Sequence, residues 1–231
     1  WPQRSLAPLE MTVFGLSEGR LEMLKLYYAP GACSTASHLT LEESGAKYDS
    51  QALAFAKNEQ KGPEYLKINP RGRVPALVID EGTIVENTAI LDFIAAKYAP
   101  QLMPKDPVEG ARAISLMAWF SNNVHPSFTH ISRPERFATD TKVFDHLKEV
   151  GRSNFHNCLK EIDGIIGDKP WILGDQFSVV DCYGLVFYGW GKRIGLPVEE
   201  LKNYTAWKDR MLARPAVRRV LEREQNVLVA A

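Results

Sequence analysis

The stretch Ala99-Pro100-Gln101-Leu102-Met103-Pro104-Lys105-Asp106-Pro107 carries three prolines, and the hydrophobic period changes across it. Proline fixes φ and lacks an N–H, so neither a regular helix nor a central strand runs through such a segment. Before it, short apolar runs alternate with helical patterns; after it, the strand signal is gone. A chain divided in this way is constrained to an α/β unit followed by an all-helical one.

In the first half, residues 24–28 read as a short buried strand, Pro30-Gly31 as its turn, and 34–43 as a helix stopped by Gly45. A second strand is expected over 48–55, then a polar stretch with a short helix. Residues 74–79 and 83–85 flank Asp80-Glu81-Gly82 as a hairpin. The helix expected over 88–98 places Leu91, Ile94, Ala95 and Tyr98 on one face, widened by Ile90 and Phe93, with Asp92 and Lys97 toward solvent. The order is βαβαββα. The second half shows helical spacing over 111–124, 142–166, 205–213 and 216–224, and a segment over 177–195 that is apolar nearly all round, as a central buried helix would be. The expected division is an α/β domain over 23–103 and an all-helical domain over 108–231. Residues 1–22 show no sustained period and read as a leader or an expression remnant, with Met23 the expected natural start and Met11 the alternative.

Lys plus Arg and Asp plus Glu number 28 each, and no long basic block occurs, so nucleic acid and anionic membranes are not expected partners. A small ligand is. Cys33, Cys158 and Cys182 are odd in number, widely spaced and outside any zinc-ligand pattern. They predict neither a disulfide framework nor a metal site, and fit a reducing, cytoplasmic setting. No window has the apolar length of a membrane span and no signal-peptide pattern opens the chain.

Four motifs then act together: LYYAPGACS at 26–34, INPRGRVPAL at 68–77, ENTAILDFIA at 86–95 and GDQFSVVDCYG at 174–184. In this order they resemble cytosolic glutathione S-transferases, most of all the bacterial beta class, over residues 23 to about 229. The resemblance implies the GST fold, a thioredoxin-like domain (βαβαββα) joined to an all-α helical domain, in agreement with the order read from the residues. It further implies glutathione as cosubstrate, a small hydrophobic electrophile as its acceptor, no metal, and a homodimer.

Cys33 lies between a strand-ending turn and the first helix, where unpaired N–H groups and the helix dipole favour an anion, so a lowered thiol pKa is expected. A buried structural cysteine is the alternative. The resemblance implies that Cys33 faces the glutathione sulfur; Ser34 is a rival for stabilising that sulfur as thiolate, and Tyr28 a further one, since other classes use Ser or Tyr. Ser34 could equally cap the helix and Tyr28 pack at a strand end. Pro75 inside an apparent strand would remove a ladder donor. The resemblance resolves this with a cis Val74-Pro75 bond that turns the Val74 backbone toward the cysteinyl unit of glutathione.

Glu86-Asn87, at the start of a helix, offers a carboxylate for an ammonium and free N–H groups for a carboxylate, which suits a γ-glutamyl end; Asn87 could also serve as an N-cap. The resemblance adds Lys57 for the glycyl carboxylate, Arg73 beside Val74 in the glutathione site, and His125 beside the cysteine. Pro126 replaces the lysine many members have there and is expected to kink or end the helix, and Ala118 stands where an asparagine is typical, with Asn122 and Asn123 nearby. Ser178 and Asp181 form a capping box and are read as a folding element. The expected activity is conjugation of glutathione to apolar electrophiles. The alternatives are thiol-disulfide exchange or reductive dehalogenation through Cys33, and a non-enzymatic ligand-binding or regulatory role for the fold.

Overall fold

The structure is a computed structural model that describes residues 23–229. The reading of residues 1–22 lies outside the described residues. The first half runs β1 (Lys25–Tyr28), α1 (Thr35–Ser44), β2 (Asp49–Ala52), α2 (Pro63–Ile68), β3 (Ala76–Ile79), β4 (Gly82–Val85) and α3 (Asn87–Tyr98). The sheet order is β2-β1-β3-β4, with β1 and β2 parallel and the other neighbours antiparallel. This is a thioredoxin-like arrangement. Each strand is only four residues long, and Val74-Pro75 lies just ahead of β3 instead of within it, which removes the conflict of a proline in a ladder.

Helix α1 stops where Gly45 takes φ 71°, a left-handed conformation that a side chain would disfavour. Its residues Thr35 through Leu41 are all buried, although most of them are polar, because α1 is enclosed by the sheet half on one side and the helical half on the other. Helix α3 divides its apolar face between two cores. Ile90 and Ile94 meet Leu26, Leu41 and Leu77 of the sheet half, whereas Leu91 and Ala95 join the core of the helical half. Asp92 and Lys97 are exposed, as the pattern required.

The helical half comprises α4 (Pro107–Trp119), α5 (His125–Ser132), α6 (Phe144–Ile166), α7 (Val179–Arg193), α8 (Lys202–Leu212) and α9 (Pro215–Arg223). Residues Val179 through Gly191 of α7 are buried without exception, so this helix is the central one that its all-round apolarity predicted. At Pro126 the expectation that the helix ends is corrected. The chain stays helical through it, because Phe120–Val124 form a π-turn in which the His125 N–H reaches the Phe120 carbonyl. Widening the turn by one residue accommodates a proline that supplies no N–H and crowds the preceding turn. Among the described residues, no helix is long and apolar enough to cross a membrane.

Candidate functional site

The turn after β1 delivers Cys33 to the boundary of the two halves. The Cys33 thiol is buried and donates to the Val74 carbonyl at 3.4 Å. The Val74-Pro75 peptide is cis, as the motif implied. The carbonyl just upstream is fixed as well: Arg73 O accepts from Tyr65 Oη at 2.6 Å and from Asn69 Nδ2 at 2.7 Å. Asn69, with Tyr65 behind it, thus holds the strand entry that presents Val74, a role the sequence motif contained but spacing alone did not show.

Across the thiol stands the start of α3. Glu86 takes φ 71° and ψ 128°, a conformation uncommon for a residue with a side chain and costing about 1–3 kcal/mol. It makes no side-chain cap, so first-turn N–H groups of α3 keep no internal side-chain acceptor. The Glu86 carboxylate is exposed and meets Arg71 Nη1 at 3.1 Å. Asn87 does something else. Its Nδ2 donates to the Cys33 carbonyl at 2.9 Å and its Oδ1 accepts from Ser37 Oγ at 2.7 Å, which commits the buried amide to holding α1 against α3. Both ends of this side chain are thus engaged within the protein, and the backbone at the helix start offers the N–H groups for a carboxylate.

The acidified Cys33 is likewise corrected. Burial pushes its thiol up to about 12, and the Glu86 charge adds to the rise. Its own N–H, that of Ser34 and the Asn87 amide oppose this and are outweighed. Desolvation therefore exceeds the helix-terminus effect that the sequence position suggested, and Cys33 carries its proton at neutral pH.

Ser34 and Tyr28 do not meet the sulfur's surroundings as rivals. Ser34 is fully buried, its Oγ accepting from Ala29 N at 3.0 Å and donating to Ala29 O at 3.3 Å, so it closes the turn and does not cap α1. Tyr28 packs with Leu41 and Ile90 and against the tilted His38 ring at 4.5 Å between centroids, with its hydroxyl toward Ser50. Strand alternation explains this: Tyr27 lies on the face of Tyr65 and Val74, and Tyr28 on the opposite one. Lys57 ends an exposed turn; its N–H donates to Ala54 O at 3.0 Å, and its ammonium makes no hydrogen bond or ion pair among the described residues.

His125 sits with its ring edge-on to Trp190 at 4.9 Å. Burial holds its imidazole down to about 4, helped by the charges of Arg136 and Arg73. Arg136, in a short turn after α5, feels Arg73, Arg133 and Cys33 as well as its neighbour Glu135. Hydrogen bonds join Cys33 to Val74 and Asn87, the Glu86 charge acts on Cys33, and the charges of Arg73 and Arg136 act on His125; Arg136 is a residue for which the sequence carried no signal. Ala118 is half-buried, and Asn122 and Asn123 are exposed. Among the described residues no group of His, Cys, Asp or Glu is placed to hold a metal ion.

Residues 22–96 match the family model described as glutathione S-transferase, N-terminal domain, and residues 129–223 the model described as glutathione S-transferase, C-terminal domain. Glutathione S-transferase GstA of Escherichia coli O157:H7 is 32% identical over 205 residues, covering 87% of this chain and 98% of that one. A glutathione transferase homologue from Sulfitobacter, solved with bound glutathione, superposes with a TM-score of 0.83 at 32% identity, covering 87% and 98% of the two chains. The beta-class glutathione S-transferase of Sphingomonas chungbukensis gives a TM-score of 0.77 at 34% identity, covering 89% and 100%.

Proposed function

The chain belongs to the glutathione S-transferase family, and from that premise we propose that it conjugates glutathione to small apolar electrophiles, holding the peptide in the sheet half beside Cys33. The observation that carries this reading is the Cys33 thiol resting on the Val74 carbonyl beneath an exposed Glu86 at positive φ. Val74 then faces the cysteinyl unit with its backbone, Glu86 holds the γ-glutamyl ammonium, and the first-turn N–H groups of α3 hold the adjacent carboxylate. Arg73 and Lys57 take the glycyl end.

Protonated Cys33 acts as a donor. By turning its S–H from Val74 O to the glutathione sulfur, it favours the thiolate without becoming one. Lowering a thiol pKa from about 8.5 to about 6.5 needs about 2.7 kcal/mol of preferential stabilisation, near the upper end of what one hydrogen bond to a charged group supplies. In the reaction the sulfur forms a bond to carbon, the leaving group departs with its electron pair, and the thiol proton passes to solvent. The helical half, through His125, Phe128 and Trp190, supplies the apolar wall of the acceptor side. Burial of the thiol supports conjugation over disulfide exchange, since exchange requires Cys33 itself as thiolate.

Calorimetric titration with glutathione, followed by assays with 1-chloro-2,4-dinitrobenzene and with a mixed disulfide, tests the reading. Binding at millimolar concentration or tighter and conjugation that persists at reduced rate in Cys33→Ala are expected. No binding at millimolar concentration overturns it.

A further inference from the structure

Both backbone polar groups of Gly31, two residues before Cys33, are held by the helical half. Its N–H donates to Glu224 Oε2 at 2.9 Å, and its carbonyl accepts from Trp190 Nε1 at 2.9 Å and Arg193 Nη2 at 2.7 Å. Gly31 has φ 65°, a left-handed conformation that favours glycine, and a Cβ there would press on the Arg193 guanidinium at 2.7 Å. The same Glu224 oxygen accepts from Thr35 Oγ1 at 2.6 Å, and its other oxygen pairs with His38 Nδ1 at 2.7 Å. The side chains of His38 and Glu224 are fully enclosed.

The donor arithmetic fixes the protons. Arg223 Nη1 lies 3.1 Å from His38 Nε2, and a guanidinium can only donate, so Nε2 accepts and Nδ1 carries the hydrogen given to Glu224. Glu224 thus has three partners, Gly31 N–H and Thr35 Oγ1 on Oε2 and His38 Nδ1 on Oε1, with Arg223 at the far end of His38. Thr35, His38 and Glu224 are buried and Arg223 closes the chain from the exposed side; buried polar groups are costly unless partnered, and both Glu224 oxygens and both His38 ring nitrogens are.

We propose that Glu224 is a positioning residue for the Cys33 site: with Trp190 and Arg193 it clamps Gly31, so that the last helix sets where the Cys33 sulfur stands. Trp190 extends the clamp to the acceptor side, because Phe128 stacks on it at 4.2 Å and His125 meets its edge. The proposal rests on the reading that Cys33 works at the glutathione sulfur. Its first readout, alkylation of Cys33, needs no such activity.

Thr35→Val removes one bond to Glu224 with little change of shape, Thr35→Ser restores the hydroxyl, and Glu224→Gln serves as a second probe where it folds. Ile166→Val, in the core of α6 and remote from the clamp, is the stability control. Alkylation by iodoacetamide is followed residue by residue by mass spectrometry, and conjugation is measured as kcat and KM separately. Loss of a hydrogen bond to a charged group corresponds to about a tenfold rise in local opening, so Thr35→Val is expected to alkylate at Cys33 about tenfold faster. In the same variant kcat should fall with the acceptor KM unchanged, and Thr35→Ser should recover both. An unchanged Cys33 rate in Thr35→Val, an equal rise in Ile166→Val, or a faster Cys33 with wild-type kcat each overturns the proposal. If the parent protein conjugates nothing, the proposed activity fails, and the alkylation comparison alone decides whether the clamp exists.

Discussion

Glu86 shows how little of a residue's role is visible in its own exposure. Its ion pair with Arg71 is mostly solvated, and such pairs contribute about 0–1 kcal/mol, so its carboxylate can exchange that partner for a ligand ammonium at small cost. Glu86→Ala is expected to weaken glutathione binding about tenfold to a hundredfold, the worth of a charge-assisted hydrogen bond of about 1.5–3 kcal/mol, while thermal stability changes little. Calorimetry alongside melting separates these, and wild-type affinity in a folded variant removes Glu86 from the site. His125 makes a pH prediction. Its folded pKa of about 4 lies below the ordinary value of 6.5, so below pH 6.5 the unfolded chain takes up a proton that the folded chain refuses. The stabilisation is present above pH 6.5 and lost as pH falls through about 4. An NMR titration of the ring should show its midpoint near 4, and His125→Gln should flatten the stability profile in that window; a midpoint near 6.5 contradicts the prediction.

At the scale of elements, the start of α7 is the place where local chemistry and long-range contact meet. Ser178 and Asp181 form the capping box their spacing announced, with Ser178 N–H to Asp181 Oδ2 at 2.8 Å. Asp181 also accepts from Ile172 N at 2.9 Å and Trp207 Nε1 at 2.8 Å, which ties α7 to α8 and to the loop before it. Asp181→Ala leaves several buried donors unpaired and is expected to cost about 3–5 kcal/mol, or a melting point lower by about 10 °C, more than a surface cap would. A loss of under about 1 kcal/mol would reduce Asp181 to a simple cap. The π-turn before α5 is the opposite case, since no propensity foretells it and it exists because Pro126 had to fit into an otherwise continuous helix.

For the whole molecule, the two halves are joined by charge as well as by apolar burial. Arg214 grips Glu43 with two bonds of 2.7 Å, and Arg219 reaches Glu42 at 2.7 Å. Assembly beyond one chain is a separate matter. The aromatic pair Trp119 and Phe120 offers a second chain little surface, because Phe120 is fully buried in the core and Trp119 is only partly exposed. The dimer is still expected on family grounds, and light scattering at micromolar concentration should return twice the monomer mass. A single-chain mass would reject it and would exclude any contribution of a second subunit to the site.

What the sequence determined by itself was whatever depends on neighbours along the chain. The strand and helix order, the stop at Gly45 and the capping box were legible because φ restriction, capping and periodicity act over a few positions, whereas the residues named for the site came from the resemblance of four motifs. Residues named for the site were not thereby given their states. Cys33 is protonated because burial outweighs the helix terminus, Asn87 is spent on Cys33 O and Ser37, and Tyr28 turns to the far face of the sheet. Glu224 carried no signal at all, since it lies 193 residues from the glycine it holds. Desolvation and hydrogen-bond pairing are properties of what surrounds a group in space, and only the tertiary structure supplies that surrounding.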